Sequence, residues 1–256
     1  MTDTLGTALD LSRLRLFVAD RVGPFFRRIL DERKDLVVAL HVIGSAVTDD
    51  FDAERSDINS MIVLREVDFG FLDLLGSLCR EFAESRIRPP MLMTPKYIER
   101  WRDLSPVELL DLKLINVRVW GADLISTVEI DRSSIRLQCG RELRNRLVQL
   151  GWGYVDAAGG KRELTELLQR SVFGLAPLVR GILYARGSEP PVAVTPLFDA
   201  LSGFVGGVAL SFKEVYWMKL RGVRMPVSRV RETLRDYYRA IEVLIDVVDA
   251  MDVPRT

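Results

Sequence analysis

Apolar residues recur at three- and four-residue steps through residues 10–34, at Leu11, Leu14, Phe17, Val18, Val22, Phe25, Ile29 and Leu30. Arg13, Arg15, Arg27 and Arg28 fall mostly off that stripe. The spacing predicts an amphipathic helix covering one face of a sheet. The pattern then changes. Residues 36–43 and 58–64 are short, β-branched apolar runs, and both predict buried strands. Residues 69–86 return to a helical period, with Phe71, Leu74, Leu75, Leu78 and Phe82 on one side. Pro89 and Pro90 then demote the run ending at Met93 to an edge or irregular strand. Thr94-Pro95 reads as a helix start, and Ser105-Pro106-Val107-Glu108 as a second one with capping-box spacing. Residues 114–120 lead back to the sheet, and Gly121 turns out of it.

Strand signals end there. Residues 130–158 show heptad-like spacing at Ile135, Leu137, Leu143, Leu147 and Leu150. Residues 161–184 read as one helix interrupted or kinked at Gly174 and Pro177. A loop at 187–191 precedes a short helix begun by Thr195-Pro196, and glycines 203, 206 and 207 allow a bend or close packing. Residues 229–251 give the last helix. The fold class expected is α+β: a small mixed sheet with flanking helices over residues 1–125, then an antiparallel helical bundle over 126–256.

The chemistry concentrates between the first two strands, in Gly44-Ser45 and, eleven residues on, Asp57-Ile58-Asn59. A Gly-Ser turn leaves backbone N–H groups and a hydroxyl to face a phosphate. A carboxylate on the neighbouring strand could hold Mg²⁺ against the same phosphates. Ile43-Gly44-Ser45 and Asp57-Ile58-Asn59 at this spacing resemble the signature of the nucleotidyltransferase superfamily related to polymerase beta and kanamycin nucleotidyltransferase. The Thr94-Pro95 and Ser105–Glu108 helix starts and the strand ending at Gly121 fit the same order. The resemblance covers roughly residues 36–125. It implies an NTP as ligand or substrate, Gly44, Ser45, Asp57 and Asn59 as nucleotide-binding residues, Asp57 as the catalytic acid, and Asp57 and Asn59 as metal ligands. It departs in two places. The family's second metal carboxylate is Asn59 here, and the stretch from Ile87 to Met93, where a third acid is expected, has none. A neutral amide cannot bridge two hard cations as a carboxylate does.

Two readings follow. The first is a protein of this fold that binds an NTP at the Gly-Ser turn and Asp57 with weakened or absent transfer, a pseudoenzyme. The second is an active Mg²⁺-dependent enzyme that modifies a hydroxyl of a small molecule or protein.

Composition narrows the partners. Of 256 residues, 48% are hydrophobic and 28% charged, enough for sizeable cores and against disorder. A formal net charge of zero argues against a general nucleic-acid or acidic-membrane binder. Cys79 and Cys139 show no paired spacing of a disulfide framework or zinc site. The start MTDTLGTALD lacks signal-peptide features, and the weakly polar run at 197–212 is too short to span a bilayer comfortably. A cytoplasmic setting is expected, and a homodimer is left open.

Other residues take structural readings first. Asp49, Asp50, Asp52 and Glu54 read as a solvated acidic loop, and His41, the one histidine, as a hydrogen-bonded core residue. With no histidine after position 41, the Arg…His chemistry of the helical ribonucleases that accompany minimal nucleotidyltransferases is excluded. Arg132, Arg136, Arg141, Arg144 and Arg146 read as a solvated face, with a cleft-facing role as the sharper alternative. Glu142 is a general base only by loose analogy with the kanamycin enzyme. Trp152, Tyr154, Trp217, Tyr237 and Tyr238 read as packing residues.

Overall fold

The stripe read from residues 10–34 becomes helix α1 (Leu16–Arg33), which buries Val18, Val22, Phe25, Phe26 and Ile29. A computed structural model describes residues 8–253 of the chain, except 173 and 222–224. Under α1 lies a four-stranded sheet in the order β3-β2-β1-β4. Strand β1 (Val37–Ile43) pairs antiparallel with β2 (Asn59–Leu64) and with β4 (Asn116–Gly121). Strand β3 (Met91–Met93) begins just after the two prolines and joins β2 in parallel at the sheet's edge, where a missing N–H is tolerated.

One face of the sheet is apolar. Leu40, Val42, Ile62, Leu64, Val117 and Val119 share a core with α1 and with Phe71, Leu75 and Leu78 of α2 (Phe69–Glu81). Each such side chain stabilises the fold by roughly 1.5–3 kcal/mol relative to exposure. The opposite face carries the polar residues of interest. Cross-strand pairing sets Ile43 beside Asn59 and Asn116, and His41 beside Met61 and Arg118. Gly121 closes β4 at φ +83, where a Cβ would overlap the Val38 carbonyl oxygen. The next N–H, of Ala122, donates to that same oxygen at 3.0 Å.

Two helix starts follow. In α3 (Pro95–Leu104) the Thr94 hydroxyl accepts from the Tyr97 N–H at 3.2 Å, as the Thr-Pro start implied. In α4 (Pro106–Leu114) the capping-box expectation needs correction. The Gln138 side chain caps the first turn instead: its Oε1 accepts from the Val107 N–H at 2.9 Å, and its Nε2 donates to Glu108 at 2.7 Å.

The chain divides into two units, one holding residues up to 104 with 112–129, the other 105–111 with the residues from 130 on. The second is helical throughout its described residues: α5 (Arg132–Asp156), α6 (Lys161–Ser171), α7 (Leu175–Ala185), α8 (Val194–Val205), α9 (Ala209–Arg221) and α10 (Val227–Asp249). Helix α10 packs on α5 and α9, and α5 on α7. The stretch 161–184 is interrupted at Gly174, one of the two outcomes read from the sequence, and forms two helices. Gly174, at φ +65, adopts a left-handed conformation that separates them, and Pro177 lies in the first turn of α7, where proline is tolerated. Tyr237 is buried as expected, its hydroxyl donating to Ser171 O at 2.8 Å. Trp152 is not a packing residue; it is 74% exposed, and Tyr154 43%.

Candidate nucleotide site

Strand β1 ends in a turn that requires glycine. Gly44 has φ +70, a conformation side chains disfavour, and opens the single 3-10 turn Gly44–Val47. The expectation that its N–H faces a ligand needs correction, because that group donates to Ile115 O at 3.2 Å. What remains at the turn is Ser45. Its carbonyl accepts from the Thr48 N–H and hydroxyl, at 3.0 and 3.2 Å. Its hydroxyl has no hydrogen-bond partner among the described residues.

Asn59 stands across the ladder from Ile43 and is exposed. Its Nδ2 lies 3.7 Å from where a Cβ on Gly44 would be, so the amide borders the turn. Asp57, two residues earlier in extended chain, faces the same way. The residue between, Ile58, is buried in the sheet core and pairs in parallel with Ile87, which is buried there too. Alternation turns Arg88, next after Ile87, toward Asp57, and Arg86 reaches it from the turn just before. Arg88 Nε lies 2.9 Å from Asp57 Oδ2, and Arg86 Nε 3.5 Å from Oδ1. Arg86 is also fixed from behind. Its backbone is left-handed at φ 56, and its Nη groups donate to Glu54 O and, at 3.0 Å, to Arg55 O.

Two acids of the loop have partners of their own. Asp49 pairs with Arg15 at 2.8 Å, and Asp52 accepts from the Glu54 and Arg55 N–H groups at 2.9 and 3.2 Å. Among the described residues, no three His, Cys, Asp or Glu side chains converge on a point that could hold a metal ion. Mg²⁺ demands oxygen ligands, commonly one or two carboxylates in near-octahedral geometry. Here both oxygens of Asp57 meet guanidinium groups, Asn59 is neutral, and β3 presents Met91 opposite Met61. These residues do not fit a Mg²⁺ ion.

Further along the same face, His41 is fully buried, and its Nδ1 lies 3.1 Å from Asn116 Oδ1. Asn116 Nδ2 donates to Leu112 O at 2.7 Å and Lys113 O at 3.3 Å, which fixes the amide's orientation. Nδ1 must therefore carry the proton, leaving Nε2 bare, buried and without a partner among the described residues. Burial holds the His41 pKa below its ordinary value, against the Asn116 hydrogen bond. His41 is thus a neutral core residue, as read from the sequence.

The arginines of α5 are held within the helical unit. Arg132 lies over the Tyr184 ring at 5.4 Å, Arg136 donates to Val248 O at 3.3 Å, and Arg146 to Ser171 O at 2.5 Å. Arg144 pairs with Asp249 at 2.5 Å, and Arg141 with Glu142 at 3.4 Å. Arg86 and Arg88 are the site residues that sequence reasoning missed. The signal was present: two cations at alternate positions, in the stretch where an acid was sought.

No protein-family model matches the chain, and no curated protein matches it. Among solved structures it is similar to spectinomycin adenyltransferase AAD(9) from Enterococcus faecialis with ATP and spectinomycin, at TM-score 0.53. Identity is 12%, and the match covers 87% of this chain and 98% of that one. The fold is that of a nucleotidyltransferase. At this identity the match speaks to the fold alone. No described helix is long and apolar enough to cross a membrane.

Proposed function

We propose that the chain binds a nucleoside triphosphate at the Gly44-Ser45 turn and the adjoining Asp57–Asn59 segment, with nucleotidyl transfer weakened or absent. The observation that carries this reading is the meeting of a left-handed Gly44 with Asn59 at the ends of two paired strands, in a sheet of nucleotidyltransferase fold. Ser45 offers an unpartnered hydroxyl to a phosphate, and the guanidinium groups beside Asp57 supply positive charge. Transfer needs charge aimed at the leaving and attacking oxygens, which the family draws from metals held by three acids. One acid remains, and it is paired with arginine.

The structural neighbour, a spectinomycin adenyltransferase solved with ATP and spectinomycin, favours a second reading. In that reading the chain modifies a small molecule or protein hydroxyl by Mg²⁺-dependent transfer. Pyrophosphate release separates the two. With each NTP and Mg²⁺ we expect binding without release above background. Sustained release that ceases in Asp57→Asn would establish the second reading.

A further inference from the structure

We propose that Arg86 and Arg88 occupy the role a divalent cation would have at this site, so that the nucleotide is taken up as the metal-free phosphate anion. The proposal rests on the nucleotide-site reading above and names the ionic form of its ligand.

The geometry is specific. Asp57 receives one guanidinium on each oxygen, from Arg88 Nε at 2.9 Å and Arg86 Nε at 3.5 Å. A carboxylate flanked by two cations has little negative potential to spare for Mg²⁺. One carboxylate against two guanidinium groups leaves a single excess positive charge, which repels a dication and attracts phosphate.

The two arginines have separate parts. Arg86 is locked by the Glu54 and Arg55 carbonyls and acts as a fixed charge. Arg88 meets Asp57 with its Nε 2.9 Å from Oδ2, its side chain is 65% exposed, and no other residue among those described is paired with its guanidinium. A guanidinium anchored at Nε presents its remaining donors as a fork, the geometry that meets phosphate oxygens in pairs. Arg88 follows Ile87 as Asn59 follows Ile58, and Ile58 and Ile87 both point into the core, so Arg88 and Asn59 lie on the face opposite it; Arg86 reaches Asp57 from the turn before Ile87.

Calorimetric titration of ATP into the full chain, in EDTA and again in Mg²⁺, tests this with two variants. We expect binding in EDTA at least as tight as in Mg²⁺, weakened about tenfold in Arg88→Ala by loss of the charged fork. Asp57→Asn should tighten binding in EDTA by a few-fold, because it frees the guanidinium and removes a negative charge. Thermal melts of both variants check that they fold. Binding that requires Mg²⁺ and is lost in Asp57→Asn would overturn the arginine assignment and leave the nucleotide site standing. Binding in neither condition would overturn the nucleotide site, and this inference with it.

Discussion

Asn59 Nδ2 lies 3.7 Å from the point where a Cβ on Gly44 would stand, so a neutral amide borders the turn at the position where the family resemblance calls for a carboxylate. The neighbouring acid, Asp57, faces two arginines rather than a second acid. The site therefore has the charge of an anion cradle and not of a cation cage.

Asn59→Asp reverses part of that balance. A carboxylate beside the Gly44 turn repels phosphate when no cation is present and can share one when it is. We expect ATP affinity to fall in EDTA and to recover with Mg²⁺, a metal dependence read by calorimetric titration. Equal affinity for the two forms in both buffers would count against a phosphate site here.

His41 makes stability depend on pH. Its folded-state pKa is depressed by burial, so the unfolded chain takes up a proton that the folded chain refuses. The contribution is fully present above the ordinary histidine pKa of 6.5 and is lost as pH falls through that value toward the folded one. The slope from this group is at most about 1.4 kcal/mol per pH unit. Urea unfolding at pH 7.5 and 5.5 should show the loss, and His41→Gln should flatten it. An unchanged slope in that variant would contradict a buried neutral imidazole.

Gly121→Ala should destabilise the chain by about 2 kcal/mol or more. The added methyl meets the Val38 carbonyl oxygen, and φ +83 strains any side chain. Chemical denaturation measures it; a change under about 0.5 kcal/mol would mean that β4 shifts to make room.

Arg180 is 3% exposed and donates to Asp111 Oδ1 at 2.5 Å, to Val192 O at 2.6 Å and to Pro191 O at 3.3 Å. Burial raises the Asp111 pKa, and Arg180 works against that rise. Arg180→Met leaves a desolvated carboxylate and two orphaned carbonyls, and we expect a loss of about 3 kcal/mol. Arg180→Met combined with Asp111→Leu should recover part of it. A double variant no more stable than the single would show that the carbonyl bonds, not the ion pair, dominate.

Much of this molecule was legible in its sequence because its signals are local. The runs that became β1 and β2 differ from the expected strands by one residue at one end, since β-branched apolar stretches flanked by polar loop leave little choice. The Gly-Ser turn was visible for the same reason, glycine being required at φ +70. What escaped depends on pairing between distant residues. Arg86 and Arg88 matter because β3 runs parallel to β2 and sets Ile87 against Ile58, a register that no local pattern encodes. Gln138 caps α4 across thirty-one residues of sequence, so a capping box read from Ser105 and Glu108 alone could not anticipate it. Gly174 marked the place where 161–184 is interrupted, and its left-handed backbone decides between the break and the kink that the sequence left open.

In the proposed complex a triphosphate lies against Ser45 and the Asp57–Asn59 segment. A crystal structure of the full chain soaked with ATP in EDTA tests it most directly. The expected result is phosphate oxygens within hydrogen-bonding distance of the Ser45 hydroxyl and the Arg88 guanidinium. Nucleotide bound elsewhere, with the Arg88–Asp57 pair and the Gly44 turn untouched, would contradict it.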